Sequence, residues 1–171
     1  MLVQLYFATS RAYLPGQILR VPAGAQAYHL GNAAAEWLAM ETAFEAARPA
    51  THHSRMTSRF ACETMEDCLT YYGPQAGGNV KRVYRVFMND PVSVPMALTG
   101  RGHHHHASPA TMAAIAQEYW EKQQHAWEYL EYLAPEMGVI DEVLTPPDAM
   151  LLAASAFSYQ NDRTRAIQLW P

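Results

Sequence analysis

Two glutamates stand where a carboxylate could meet a ligand. In the stretch Trp127 to Val143 (WEYLEYLAPEMGVIDEV), Glu128 and Glu131 each precede a Tyr-Leu pair, and a β-branched strand follows from Val139. A carboxylate at the mouth of a strand is well placed to face a ligand lying across a sheet edge. The two acids are three residues apart, so on extended backbone they face opposite sides and only one points into a cleft. The chemistry such a group offers is electrostatic. A negative charge beside a centre that becomes cationic lowers the barrier, and a hydrogen bond from the same group orients the reactant.

Ser54 to Asp67 (SRMTSRFACETMED) forms a second cluster, in which Arg55 and Arg59 flank Thr57 and Ser58. Arginine forks and short hydroxyls can hold a pyrophosphate through charge-assisted bonds. The alternative is that these arginines pair with Glu63, Glu66 or the glutamates of the helix ahead. Tyr119, Trp120 and Trp127 lie close in sequence to the two acids. Core packing is the default for such aromatics; the functional alternative is an apolar wall that stacks on a flat ring and shields the carboxylate from water. His103 to His106 are consecutive. On an extended loop His103 with His105, or His104 with His106, could chelate Zn, Ni or Cu. The ordinary reading is a solvated loop, because metal sites draw ligands from rigid elements, and no metal is expected. His52, His53 and His125 are too scattered to strengthen it.

The elements that must position these groups read as follows. Leu2 to Thr9 is a buried first strand, and Leu14-Pro15-Gly16-Gln17 is a turn. Asn32 caps a helix over Ala33 to Ala47, with Trp37, Met40, Ala43, Phe44 and Ala47 on its apolar face, Glu36 and Glu45 exposed, and Pro49 as its stop. Phe60 to Cys62 is a brief strand, and Thr64 with Asp67 opens a short helix ending at Tyr72. Val80 to Met88 is a strand broken by Asp90-Pro91, residues 99 to 108 are a loop, and Ser108-Pro109 opens a helix to about Gln124. Val139 to Val143 is a strand, and Ala149 to Trp170 is partly helical. Strands and helices without regular alternation predict an α+β domain over residues 1–171.

Composition narrows the function. The net charge of −4, with only 12 basic residues, argues against generic nucleic-acid binding. Only Lys81 and Lys122 are lysines; the arginine bias suits bidentate anion recognition, and also follows from a GC-rich genome. Cys62 and Cys68, six apart, suit neither a local disulfide nor a zinc site. No apolar run is long enough for a membrane span or signal peptide, which predicts a cytoplasmic protein without membrane partners. Neither GxGxxG nor GxxxxGK[ST] occurs, and no Ser or Cys sits in a nucleophile elbow.

The order of these motifs resembles the ADP-ribosyltransferase fold, in particular a bacterial and phage group distantly akin to rifampin ADP-ribosyltransferase. Leu5-Tyr6-Phe7-Ala8-Thr9-Ser10-Arg11 with Leu14 to Leu19 resembles the opening strand and its turn. Glu41, Glu45, Arg48, Ser54-Arg55, Ser58, Phe60-Ala61 and Glu66-Asp67 resemble the helix with spaced glutamates and the Ser-Arg-x-x-Ser-x-Phe-Ala stretch. Arg82 to Val86, Tyr119-Trp120, Glu131-Tyr132-Leu133 and Val139 to Val143 complete the match. The resemblance implies two small packed β-sheets with flanking helices, and NAD as substrate in a cleft between them.

It also implies roles. Glu131 matches the glutamate that stabilises the oxocarbenium-like ribose, with Glu128 in reserve. Ser58 and Phe60 match the strand lining the nicotinamide pocket, and Arg55 or Arg59 would take the pyrophosphate. Where many relatives carry a histidine that bonds the adenosine ribose, this chain has Phe7, which cannot. Thr9, Ser10 or Arg11 must substitute, or the cleft binds NAD differently. Expected is an NAD-dependent mono-ADP-ribosyltransferase-like protein acting on an unknown acceptor. The alternative is a catalytically inactive protein of the same fold that binds a host factor, its acidic surface meeting a basic partner.

Overall fold

The computed structural model describes residues 1–22, 35–72, 82–121, 130–145 and Asp148, with residues 70–72 as backbone alone. The expected Asn32 cap, Glu128, Trp127, His125 and the segment 149–170 lie outside the described residues. Strands are β1 (Leu2–Thr9), β2 (Ile18–Arg20), β3 (Arg59–Cys62), β4 (Arg82–Asn89), β5 (Val92–Pro95), β6 (Leu130–Ala134) and β7 (Glu136–Leu144). Helices are α1 (Ala35–Ala46), α2 (Met65–Tyr72), α3 (Ala97–His104) and α4 (Pro109–Glu121), with one 3-10 turn at Arg55–Thr57.

The class is α+β. The strands form one antiparallel sheet in the order β2-β7-β4-β1-β3-β6-β5, in place of the two small sheets expected. Alternation along a segment announces a strand, whereas its hydrogen-bonding neighbours are set by residues far along the chain. No helix among the described residues is long and apolar enough to cross a membrane.

Two compact units divide the chain. The first comprises Met1–Val3, Ile18–Phe60 and Met88–Met137. Its helices α1, α3 and α4 pack on one another around Met40, Phe44, Leu98, Met112, Ile115, Ala116, Tyr119 and Trp120. In α4 the buried positions 112, 115, 116, 119 and 120 follow the helical repeat. Ser108 opens that helix, its carbonyl accepting from Met112 N at 2.9 Å. β5 and β6 pair antiparallel, with Val92 opposite Leu133 and Val94 opposite Glu131. Leu133 belongs to the core formed with α1 and α4, so Glu131, two residues back, shares the helix-packed face of β6.

α3 takes up residues 99–104 of the loop expected over 99–108, and 105–108 lie in neither helix nor strand. Gly100 and Gly102 read locally as helix breakers, yet Gly102 is a packing residue. A Cβ there would lie 2.8 Å from Met40 Cγ and 3.3 Å from Phe44 Cε1, so only glycine lets α3 seat closely on α1. Burial of Leu98 and Gly102 outweighs the weak propensity. β5 was not expected either: it is short, and follows Asp90-Pro91 directly. Asp90 takes φ 45°, which turns the chain between β4 and β5.

The second unit comprises Gln4–Gln17, Ala61–Phe87 and Gly138–Pro171. Its core gathers Ala8, Cys62, Cys68, Leu69 and Val83. Both cysteines are buried and form no disulfide, and Cys68 Sγ donates to Tyr6 O at 2.9 Å. Thr64 Oγ1 accepts from Asp67 N at 3.0 Å, capping α2 as its sequence predicts. Gly16 takes φ 82° in the Leu14–Gln17 turn, where proline precedes a residue that must be left-handed. β4 and β7 pair with Tyr84 opposite Glu142 and Arg85 opposite Asp141. The Arg85–Asp141 hydrogen bond lowers the Asp141 carboxyl and raises the Arg85 guanidinium from their ordinary values.

Candidate functional site

The site is built by two glutamates one helical turn apart on α1. Glu45 holds the segment that follows: Arg48 Nε donates to its Oε1 at 2.8 Å and Ser54 Oγ to its Oε2 at 2.9 Å. Arg48 Nη1 also reaches His52 O at 2.6 Å. Ser54 then caps the 3-10 turn, accepting from Met56 N at 3.2 Å. Glu45 is therefore half-buried and paired, as Glu36 is half-buried, instead of lining an exposed face.

This scaffolding delivers Arg55 to the interior, where 5% of its surface remains exposed. Its fork meets Glu41, Nε to Oε2 at 2.8 Å and Nη2 to Oε1 at 2.9 Å. Nη1 donates to both Tyr119 Oη and Glu131 Oε1, and Tyr119 Oη donates to the same Glu131 oxygen at 2.8 Å. Glu131 Oε2 accepts no bond from the described residues. The guanidinium carbon lies 5.0 Å from the Phe60 ring centre, 5.1 Å from Tyr119 and 5.8 Å from Phe44.

Electrostatics follow from burial. Desolvation acts to depress the Arg55 guanidinium, but Glu131, then Tyr119 and Glu41, outweigh it and hold it well above its usual range. Burial pushes the Tyr119 phenol well above ordinary tyrosine, with Arg55 opposing and Glu131 adding to the rise.

The structure thus brings together Arg55, Tyr119, Phe60 and Glu131. Of the two partners weighed for the arginines, Arg55 takes the helix ahead, through Glu41. Ser58 is 1% exposed, and its Oγ has no hydrogen-bond partner among the described residues. Arg59 is half-buried and donates from Nη2 to Arg20 O at 2.8 Å. Trp120 is 4% exposed, its indole N–H bonded to Phe44 O at 2.7 Å, so it is a core residue tied to α1.

Phe7, Thr9 and Arg11 belong to the second unit. There Phe7 is tilted against Tyr13 at 6.3 Å, and buried Thr9 accepts from Arg11 N at 3.1 Å. Glu41 enters the sequence reading only as one of the spaced glutamates of its helix, without a role of its own. Its signal was present: position 41 falls on the stripe of Trp37, Met40 and Phe44, and an acid on an apolar stripe must find a buried cation.

No protein-family model matches the chain, and no curated protein matches it.

Proposed function

We propose that the chain is an ADP-ribosyltransferase-like enzyme of the cytoplasm, cleaving the nicotinamide–ribose bond of NAD and passing ADP-ribose to an acceptor. One observation supports the reading above the rest. The Ser54-Arg55 to Phe60 stretch and Glu131-Tyr132-Leu133, far apart in sequence and both part of the family resemblance, meet through the Arg55–Glu131 ion pair. In this reading Arg55 and Tyr119 fix Glu131 through Oε1, and Oε2 faces the ribose. As the bond from C1′ to the nicotinamide nitrogen breaks, the electron pair leaves with nicotinamide, and the Glu131 carboxylate stabilises the cation-like ribose. Ser58 Oγ supplies a hydrogen bond to the nicotinamide amide, beside Phe60. The pyrophosphate falls to Arg59, because Arg55 is committed to Glu41, Tyr119 and Glu131.

Mass-spectrometric detection of released nicotinamide tests this, comparing the native chain with Glu131→Gln. Glutamine keeps an acceptor for Arg55 and Tyr119 and removes the charge, so turnover should fall about a hundredfold or more. Equal turnover in both would remove Glu131 from the reaction.

A second reading is favoured by the burial of Glu131 at 3% exposure, on the helix-packed face of its strand. Here the network is a clamp in a protein that binds a host factor without chemistry. Calorimetry separates the two: no heat of NAD binding at about millimolar concentration (a Kd that weak is worth only about −4 kcal/mol) supports the clamp.

A further inference from the structure

We propose that His103 and His106 form a surface site for one borderline transition-metal ion, of the kind nickel(II), copper(II) or zinc(II) represent. The histidine run is not an extended loop. It ends α3, and the chain closes over the helix end through His105 N to Arg101 O at 3.1 Å, His106 N to His103 O at 3.4 Å and Ser108 N to His105 O at 2.9 Å. The pairing is therefore set by helical spacing of three, not by strand alternation.

Three features prepare these two rings. Their centroids are 6.1 Å apart, within the span of about 4.5–6.5 Å that two imidazoles on one ion adopt with bonds of about 2.1 Å. His106 Nδ1 lies 2.8 Å from His103 O. A carbonyl only accepts, so Nδ1 carries the proton and Nε2 presents its lone pair outward. A backbone partner fixing the tautomer is the usual support of a ligating histidine. The His103 ring is stacked on Trp37 at 4.5 Å and 26°, which holds its plane. The C-terminal carbonyls of α3 add a field that favours a cation.

His104 is as near to His103, at 6.0 Å, but nothing among the described residues fixes its tautomer. No group of three or more His, Cys, Asp or Glu suited to a metal exists among the described residues. Water then completes the shell, and the ion is exchangeable instead of structural. The site is independent of the Arg55 network.

Calorimetric titration of the whole chain with nickel chloride near neutral pH tests it. One saturable ion per chain is expected. His106→Ala, at an exposed position, should weaken uptake by at least the roughly ten- to hundredfold that loss of a ligand's supporting partner costs. His103→Ala should do the same, while His104→Ala and His105→Ala leave it unchanged. Nickel should also raise the melting temperature of the native chain but not of His106→Ala. Equal losses across all four variants, or saturation untouched by His106→Ala, or no saturable uptake, would each overturn the assignment.

Discussion

Replacing Arg55 by methionine tests whether the network is sealed from water. Methionine keeps much of the length and apolar stem but cancels four hydrogen bonds, two to Glu41 and one each to Tyr119 and Glu131. Glu41 at 1% and Glu131 at 3% exposure then lose their guanidinium in the core. Removing one partner of a buried ion pair costs about 3–5 kcal/mol, a large part of the roughly 5–15 kcal/mol that holds a domain together. At about 2–4 °C per kcal/mol for a chain of this size, the melting temperature should drop by about 6–20 °C. Urea denaturation followed by circular dichroism measures the loss directly. A companion, Glu41→Leu/Arg55→Met/Tyr119→Phe/Glu131→Leu, removes every charge and also the phenol that would be left unpaired. It should recover to within about 2 kcal/mol of the native chain, because apolar replacement of a whole buried cluster is often neutral. A loss below about 1 kcal/mol for Arg55→Met, the worth of a surface ion pair, would refute the sealed network.

The other expectations concern the same cluster. Tyr119→Phe should lose about 1–3 kcal/mol at neutral pH from the buried oxygens it leaves without a donor. Because burial raises the Tyr119 phenol in the folded chain, the contribution of Tyr119 to stability is level below pH about 10 and falls above it, by up to about 1.4 kcal/mol per pH unit. The gap between native and Tyr119→Phe urea midpoints should therefore narrow from about pH 9 to about pH 11, beyond the unfolded tyrosine value near 10, and a constant gap would contradict the assignment. Glu41→Gln should destabilise more than Glu131→Gln, by about 1–2 kcal/mol in urea titrations, since it converts a bidentate charge-assisted fork into a single neutral acceptor; equal losses would place both acids in one structural role.

Much of this was legible from period alone. The stripes of α1 and α4, the capping of α2 by Thr64 and the alternation of β4 follow from local sequence. Even the burial of Tyr119 can be read from its place among Met112, Ile115, Ala116 and Trp120. What could not be read depends on partners distant in the chain. Gly102 looks like a breaker until Met40 and Phe44 are placed against it. Arg55 and Arg59 are equivalent in sequence, four residues apart, and only the 3-10 turn capped by Ser54 sends the first inward while the second bonds the Arg20 carbonyl. Strand pairing across β5 and β6 links residues separated by two helices, which local sequence does not show; the two sheets were expected from the family resemblance alone.

The geometry also argues that the two acids are not equivalent. Glu41 alone neutralises Arg55 and satisfies one whole edge of its fork. Glu131 offers a single oxygen to the network and keeps the other uncommitted among the described residues. Burying a carboxylate is unfavourable, and a fold that needed only a clamp would be served as well by a neutral acceptor at 131. A cation-like ribose would turn that liability into transition-state stabilisation. The decisive comparison is thus between stability and turnover in Glu131→Gln. A variant that folds nearly as well and no longer releases nicotinamide assigns the charge to chemistry, whereas one that loses stability while the native chain ignores NAD assigns it to the clamp.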